Sequence, residues 1–278
     1  MAKPITTRIF TVANQKGGVG KTTSAVNVAA ALAMGGLKTL IIDLDPQGNA
    51  STAFGISRDE VSGMYEVIIK DLPMQSAALK IPGYPSLEVI PATQSLANAE
   101  VELVPMVARE MRLKKSLNNY LTDAANKGER FDYVIIDCPP SLGLLTINAL
   151  VAAQELLIPI QCEYYSLEGL ALLLHTVSLI QEHLNPNIKL TTILLTMFDG
   201  RTRLANDVAA EVRKHYNTEL IDIPIPRAVR ISEAPSYGQT VMTYDPASNG
   251  AEAYGLVARE IARRGAPSSN SNSEKGVG

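Results

Sequence analysis

Gln15-Lys16-Gly17-Gly18-Val19-Gly20-Lys21-Thr22-Thr23 follows a β-rich run, Ile9 to Ala13, and opens an alanine-rich segment, Lys21 to Met34, that ends at Gly35-Gly36. Strand, glycine loop and helix is the reading. A loop that cradles phosphate needs glycines so that successive backbone N–H groups point at phosphate oxygens, a lysine to meet the β/γ charge, and a Ser/Thr hydroxyl for Mg²⁺. Lys21 and Thr22 supply the last two, and the helix from Thr22 onward adds the positive end of its dipole. The pattern G-x-x-x-x-G-K-[ST] fails strictly, because its first glycine falls at Gln15. A second lysine, Lys16, stands near the start of the loop instead.

Working outward, two further apolar runs end on carboxylates, Thr39 to Asp43 and Phe131 to Asp137. Such continuous runs suit strands buried on both faces of a parallel sheet. Leu87 to Pro91, Glu155 to Ile160, Leu190 to Met197 and Glu219 to Ile223 are further strand candidates, and segments 104–127, 143–153, 166–184, 202–216 and 247–264 have helical length and pattern. The alternation predicts an α/β fold, a doubly wound, mostly parallel sheet flanked by helices, with ligands at the carboxyl ends of the strands. Residues 8–264 form this single domain; residues 1–7 are expected to be a flexible arm, and the polar stretch 265–278 a disordered tail.

Composition narrows the function classes. The 278 residues are 46% hydrophobic and carry a formal charge of −3, enough apolar matter for a sizeable core and too little positive charge for a surface devoted to nucleic acid. Cys138 and Cys162 each sit in an apolar run and form neither a disulfide framework nor a CxxC motif, which fits a cytosolic protein. No signal peptide precedes Asn14, and no stretch reaches the ~18 uninterrupted apolar residues of a membrane span. His175, His183 and His215 lack ligand spacing.

Lys16 stands five residues before Lys21 and cannot easily fold back onto the same phosphates. It is placed to reach an ATP held by a facing subunit, the logic of an arginine finger supplied in trans. The plain alternative is a glycine-rich turn with two solvated lysines. Asp137, ending an apolar strand, has the position of a carboxylate that holds Mg²⁺ directly or through its water shell; the plain alternative is a strand-end cap. Asp43 and Asp45 bracket the start of a switch-like loop.

The glycine loop, with Asp43-Leu44-Asp45-Pro46-Gln47-Gly48-Asn49 and Asp137-Cys138-Pro139-Pro140-Ser141, resembles the deviant Walker A P-loop ATPases. Leu195 to Thr202 and Ile225 to Ser236 point within them to the chromosomal ParA/Soj partition proteins, and the resemblance runs from about Arg8 to Arg263. It implies a P-loop NTPase fold and slow ATP hydrolysis with ATP and Mg²⁺. Nucleotide binding falls to Lys16, Gly17, Gly18, Val19, Gly20, Lys21, Thr22 and Thr23, with Pro226 and Arg227 near the adenine; Lys16, Lys21 and Asp45 are the catalytic set. Asp45 positions the attacking water, Thr22 and Asp137 serve the metal, and Asp43 organises the metal and lysine side. Gly48-Asn49 and Pro139 to Gly143 sense the γ-phosphate, although both also satisfy ordinary turn chemistry.

From Arg201 to Arg230 six basic residues face four acidic ones, which by itself suits a solvated helix face. The resemblance adds that arginines at Arg201 and Arg230 bind double-stranded DNA without sequence preference in an ATP-bound homodimer. It implies a cytoplasmic, nucleoid-associated protein stimulated by a ParB/Spo0J-type centromere-binding partner. The alternative is a MinD-like membrane-associated positioning ATPase, but that class needs a basic amphipathic C-terminal helix, whereas the tail here is rich in Ser, Asn and Gly. An iron–sulfur ATPase lacks its cluster cysteines here, and a dethiobiotin synthetase-like ligase offers no reason for Ile225 to Ser236.

Overall fold

The computed structural model describes residues 1–163 and 166–267; Tyr164, Tyr165 and residues 268–278, most of the expected tail, lie outside the described residues. Strand β1 (Arg8–Val12) leads through the glycine loop into helix α1 (Lys21–Met34) and strand β2 (Thr39–Asp43). Short helices α2 (Asn49–Ala53) and α3 (Met64–Ile69) precede a hairpin of β3 (Leu79–Ile81) and β4 (Tyr84–Ile90). Helices α4 (Ala99–Leu103) and α5 (Arg112–Asn126) lead to β5 (Tyr133–Asp137), and α6 (Leu144–Ala152) leads to β6 (Glu155–Gln161). Then come α7 (Ser166–His183), β7 (Lys189–Thr196), α8 (Arg203–His215), the short β8 (Leu220–Ile221), and helices α9 (Val229–Glu233), α10 (Val241–Tyr244) and α11 (Asn249–Gly265).

The strands form one sheet in the order β3-β4-β2-β5-β1-β6-β7-β8. Among the described residues only the β3/β4 pair is antiparallel. This is the mostly parallel, doubly wound sheet expected from the apolar runs. Successive side chains of a strand point to opposite faces, and β5 uses both: Val134 and Ile136 enter a core covered by α3 to α8, while Tyr133 and Ile135 enter one covered by α1, α2 and α9 to α11. Burial on both faces explains why these strands are apolar throughout.

One expected element divides. The stretch 104–127 was expected as a single helix, but the chain forms α4 before it and starts α5 only at Arg112. Pro105 has no N–H to continue a helical ladder, and Ala108 turns into the left-handed region at φ 52°. The arm at residues 1–7 makes contacts with the body: Thr7 Oγ1 donates to the Phe131 carbonyl at 2.7 Å, Arg130 donates to the Pro4 and Ile5 carbonyls at 2.9 Å each, and the Met1 amino group donates to the Gly35 carbonyl at 3.2 Å.

Sheet order fixes the site. With β5 between β2 and β1, Asp43 pairs in register with Asp137, and Asp137 with Val12, the last strand residue before the glycine loop. Two carboxylates and a phosphate-type loop therefore meet at the carboxyl edge of the sheet.

Candidate nucleotide site

The loop from Ala13 to Gly20 is pinned at its shoulders and open in its middle. Asn14 Nδ2 donates to the Pro159 carbonyl at 2.8 Å while Asn14 Oδ1 accepts from the Lys16 N–H at 3.0 Å. At the other shoulder Val19 is buried, and its carbonyl accepts from Thr196 Oγ1 at 2.8 Å. Between them Gly17 and Gly18 are exposed. Gly18 and Gly20 adopt φ 76° and 82°, conformations that tax any residue with a Cβ. Gly20 caps α1 without any side-chain cap bond, so the first N–H groups of the helix are left for an anion.

Lys21 is 7% exposed. Its Nζ donates to the Lys16 carbonyl at 3.1 Å, which folds the loop around the ammonium. Burial pushes its pKa down, against the pull of Asp137 and Asp45, which favour the charged form.

Beneath the loop, Asp43 and Asp137 are both fully buried. Asp43 is satisfied within the chain: Oδ2 accepts from the Ser51 N–H at 2.8 Å and from Ser51 Oγ at 2.6 Å, and Oδ1 accepts from the Asp45 N–H at 3.2 Å. Burial still pushes its carboxyl up to about 6. Asp137 is different, because neither of its buried oxygens accepts a well-formed hydrogen bond, although the Thr22 hydroxyl lies close by. Desolvation first, and the neighbouring Asp43 second, raise it well above the usual carboxylate range, although the nearby Thr22 hydroxyl and the Lys21 ammonium act the other way. A buried unpaired carboxylate is costly unless something compensates it.

A Mg²⁺ ion is suited to that role, since it keeps several waters and takes only one or two protein oxygens beside the phosphates. Asp137 and the Thr22 hydroxyl fit this demand. No group of three or more His, Cys, Asp or Glu is placed to hold a metal ion by itself among the described residues, and a site of this kind needs none. Asp43, with its oxygens engaged by Ser51 and Asp45, acts on the arrangement from behind.

A cavity of about 590 Å³ opens above these groups, and Gly17, Gly18, Gly20, Lys21, Thr22, Thr23, Asp45, Asn49, Pro140, Pro226 and Arg227 are among its lining. Asp45 is 6% exposed and closes a tight turn, its Oδ1 accepting from the Gln47 N–H at 2.9 Å and its carbonyl from the Gly48 N–H at 2.8 Å. Pro226 and Arg227 reach the cavity because their segment runs beside the end of β7: Ile225 accepts from the Phe198 N–H at 2.9 Å, and Arg227 N–H donates to the Phe198 carbonyl at 3.3 Å. Asn27 of α1 fixes the far wall by accepting from the Val241 N–H at 2.9 Å. The loop, Asp45 and the Pro226 stretch thus converge on one space.

The remaining expected residues lie off the lining. Val19 anchors the loop from below, and Lys16 points aside, with Nζ 2.5 Å from Glu163 Oε2. Arg201 and Arg230 stand outside the cavity, with side chains 90% and 58% exposed. Each is paired within the chain. Arg201 forks onto Asp199 at 2.7 and 2.8 Å, holding that carboxyl down at about 2, and Arg230 lies 3.2 Å from Glu233 and 3.6 Å from Asp245. Sequence reasoning missed Ser51, Asn27 and Thr196. Each acts through a contact formed only in the folded chain, and no local spacing marks them.

Comparison with known proteins accords with this geometry. Residues 7–190 match the AAA domain family. The chain is 48% identical to the chromosome partitioning protein ParA of Myxococcus xanthus over 94% of this chain and 90% of that one. It is 49% identical to the sporulation initiation inhibitor protein Soj of Bacillus subtilis over 93% and 99%. Among solved structures, a cobyrinic acid a,c-diamide synthase from Mycobacterium smegmatis with bound ADP and magnesium superimposes with a TM-score of 0.78 at 36% identity, covering 93% of this chain and 95% of that one. A glycine loop over a buried strand-end carboxylate, in a chain nearly half identical to these two proteins along almost its whole length, makes this protein a member of the ParA/Soj family of P-loop ATPases.

Proposed function

We propose that this protein is a chromosome-partitioning ATPase whose cycle of nucleotide binding and hydrolysis controls its hold on DNA. The observation that carries the reading is Asp137, a fully buried carboxylate whose oxygens accept no well-formed hydrogen bond, beneath Lys21 and Thr22. When bound, Mg²⁺ neutralises charge on the phosphates. The chain's own groups do the rest: Gly17 to Thr23 present N–H groups and the Lys21 ammonium to the phosphates, and Pro226 and Arg227 border the base. Asp45 orients the attacking water. Phosphoryl transfer runs mainly on positioning and charge neutralisation, so an aspartate suffices and intrinsic turnover is slow.

On this reading ATP joins two copies through their Lys16 loops. The paired face, including Arg201 and Arg230, holds double-stranded DNA without reading bases, and a ParB/Spo0J-type partner stimulates the hydrolysis that releases it. The protein then works in the cytoplasm on the nucleoid. Among the described residues no helix is long and apolar enough to cross a membrane. The tail on which the membrane-surface alternative turns lies largely outside the described residues.

Binding to non-specific duplex DNA, measured against salt with ATP, with ADP and without nucleotide, tests the reading. Retention only with ATP, with a steep salt slope, is the expected result; nucleotide-independent retention overturns it. Asp45→Ala is expected to keep ATP affinity and to lose at least ~100-fold in single-turnover hydrolysis. Wild-type turnover in that variant would reassign the water-orienting role.

A further inference from the structure

Arg58 does not line the cavity, yet its guanidinium serves four backbone carbonyls on two separate segments. Nη1 donates to Gln47 at 2.6 Å and Nη2 to Pro46 at 2.5 Å, while Nε donates to Ala92 at 3.0 Å and Nη2 also to Thr93 at 3.4 Å. Pro46 and Gln47 are the residues directly after Asp45, inside the turn that Asp45 closes onto the Gln47 and Gly48 N–H groups. Ala92 and Thr93 follow β4, the neighbour of the strand that carries Asp43.

Three features set this contact apart from an ordinary surface arginine. Among the described residues Arg58 has no carboxylate partner, so its donors are committed to carbonyls. Gly48, at φ 66°, leaves room for the guanidinium, and a Cβ there would lie 2.2 Å from Arg58 Nε. A second tie crosses the same gap, since Ala92 N–H donates to Ser51 Oγ at 3.0 Å and Ser51 Oγ donates to Asp43 Oδ2. The turn behind Asp45 is therefore fastened to the edge of the sheet by one planar fork. A lysine, with a single ammonium on a flexible stem, cannot span the same four acceptors.

We propose that Arg58 is a positioning residue for hydrolysis: by holding the Pro46 and Gln47 carbonyls against Ala92 and Thr93, it sets where the Asp45 carboxylate stands. The proposal rests on the reading that Asp45 orients the attacking water. A displacement of about 1 Å in a group that orients a reactant costs on the order of 100-fold in rate, and Arg58 touches neither the phosphate loop nor Lys21. Gln47 borders the cavity, but Arg58 holds it by its backbone carbonyl, so loss of Arg58 is expected to act on kcat and to leave nucleotide affinity unchanged.

The test is a double-mutant cycle on the full chain, read by single-turnover ATP hydrolysis, by affinity for a fluorescent ATP analogue with Mg²⁺, and by thermal melting. Arg58→Ala is expected to lower the hydrolysis rate by roughly 10- to 100-fold with unchanged analogue affinity, to regain rate with added guanidinium at non-denaturing concentration, and to add no further loss in an Asp45→Ala background. Arg58→Lys should fold normally and recover only part of the rate, and it carries the same cycle should Arg58→Ala not fold. An undiminished rate, a loss that adds fully to that of Asp45→Ala, or a loss matched by weaker analogue binding each overturns the proposal. Full activity in Asp45→Ala alone overturns instead the reading on which it rests.

Discussion

Lys16 and Lys21 belong to one loop, and their surroundings separate their roles. Lys21 is buried, wrapped by the Lys16 carbonyl and drawn toward Asp137 and Asp45, so it is committed to the site in its own chain. Lys16 keeps its ammonium at the rim, 38% exposed and paired with a Glu163 side chain that is 46% exposed. Ion pairs this accessible are worth about 0–1 kcal/mol, and a polyphosphate from outside the subunit can displace Glu163 at little cost. Lys16→Ala is therefore expected to retain ATP binding and to lose ATP-dependent dimerisation. Analytical ultracentrifugation with and without ATP checks it, and a variant that still dimerises on ATP removes the trans role from Lys16. The placement of Lys21 and Thr22 at the cavity was legible from spacing alone, because a phosphate loop is a local device. The partners of Asp43 were not, since Ser51 N–H and Oγ reach it only once α2 has folded back over the end of β2.

Among the elements, α6 carries more connections than its short apolar sequence announces. Glu100 of α4 accepts from the Leu144 N–H at 2.7 Å and the Leu145 N–H at 3.2 Å, capping from a distance the helix that follows the Pro139 to Gly143 loop. Asn148 of the same helix donates to the Arg109 carbonyl at 2.8 Å and accepts from the Leu113 N–H at 3.1 Å. Removing a cap carboxylate typically costs about 0.5–2 kcal/mol, and Glu100→Ala should show a loss of that size in urea unfolding, with Glu100→Gln intermediate; an unchanged midpoint would deny the cap its part in stability. In α11, Arg264 donates to the Thr191, Glu219 and Leu220 carbonyls, and Arg263 first, with Arg264 beside it, holds Glu260 down at about 2. A carboxyl depressed in the fold lends stability above its unfolded value, about 4.3, and loses it as pH falls toward 2. Glu260→Gln should therefore lower the melting temperature at neutral pH, and its deficit should close between about pH 4 and pH 2. A deficit that stays constant over that range assigns the effect to packing instead. The long helices and central strands were legible from period and apolar runs. The break at 104–111 is written in Pro105, whereas β3, Leu79–Ile81, is too short to show a period at all.

For the whole molecule, the formal charge of −3 is distributed in a way that matters more than its size. The basic side chains of the 201–230 stretch are largely answered in place: Arg201 by Asp199, Arg203 by Asp207, Arg213 by Asp222 and Arg230 by Glu233 and Asp245. A single copy thus offers a phosphate backbone few uncompensated cations, and those pairs, being exposed, are cheap to exchange for phosphate. On the proposed reading affinity for DNA depends on how many phosphates are neutralised at once, because each phosphate neutralised steepens the slope of log K against log salt by about 0.9. On that reading, two copies joined through nucleotide would double that number. Arg201→Glu reverses a charge in each copy and is expected to lower retention on non-specific duplex DNA, to flatten the salt slope by roughly two phosphate contacts per dimer, and to leave ATP affinity untouched, since Arg201 stands outside the cavity. Titrating the variant and the parent protein with ATP across a salt series measures both slopes. Equal slopes would move the DNA-binding face away from the 199–203 loop, and a change in ATP affinity would place Arg201 in the nucleotide site.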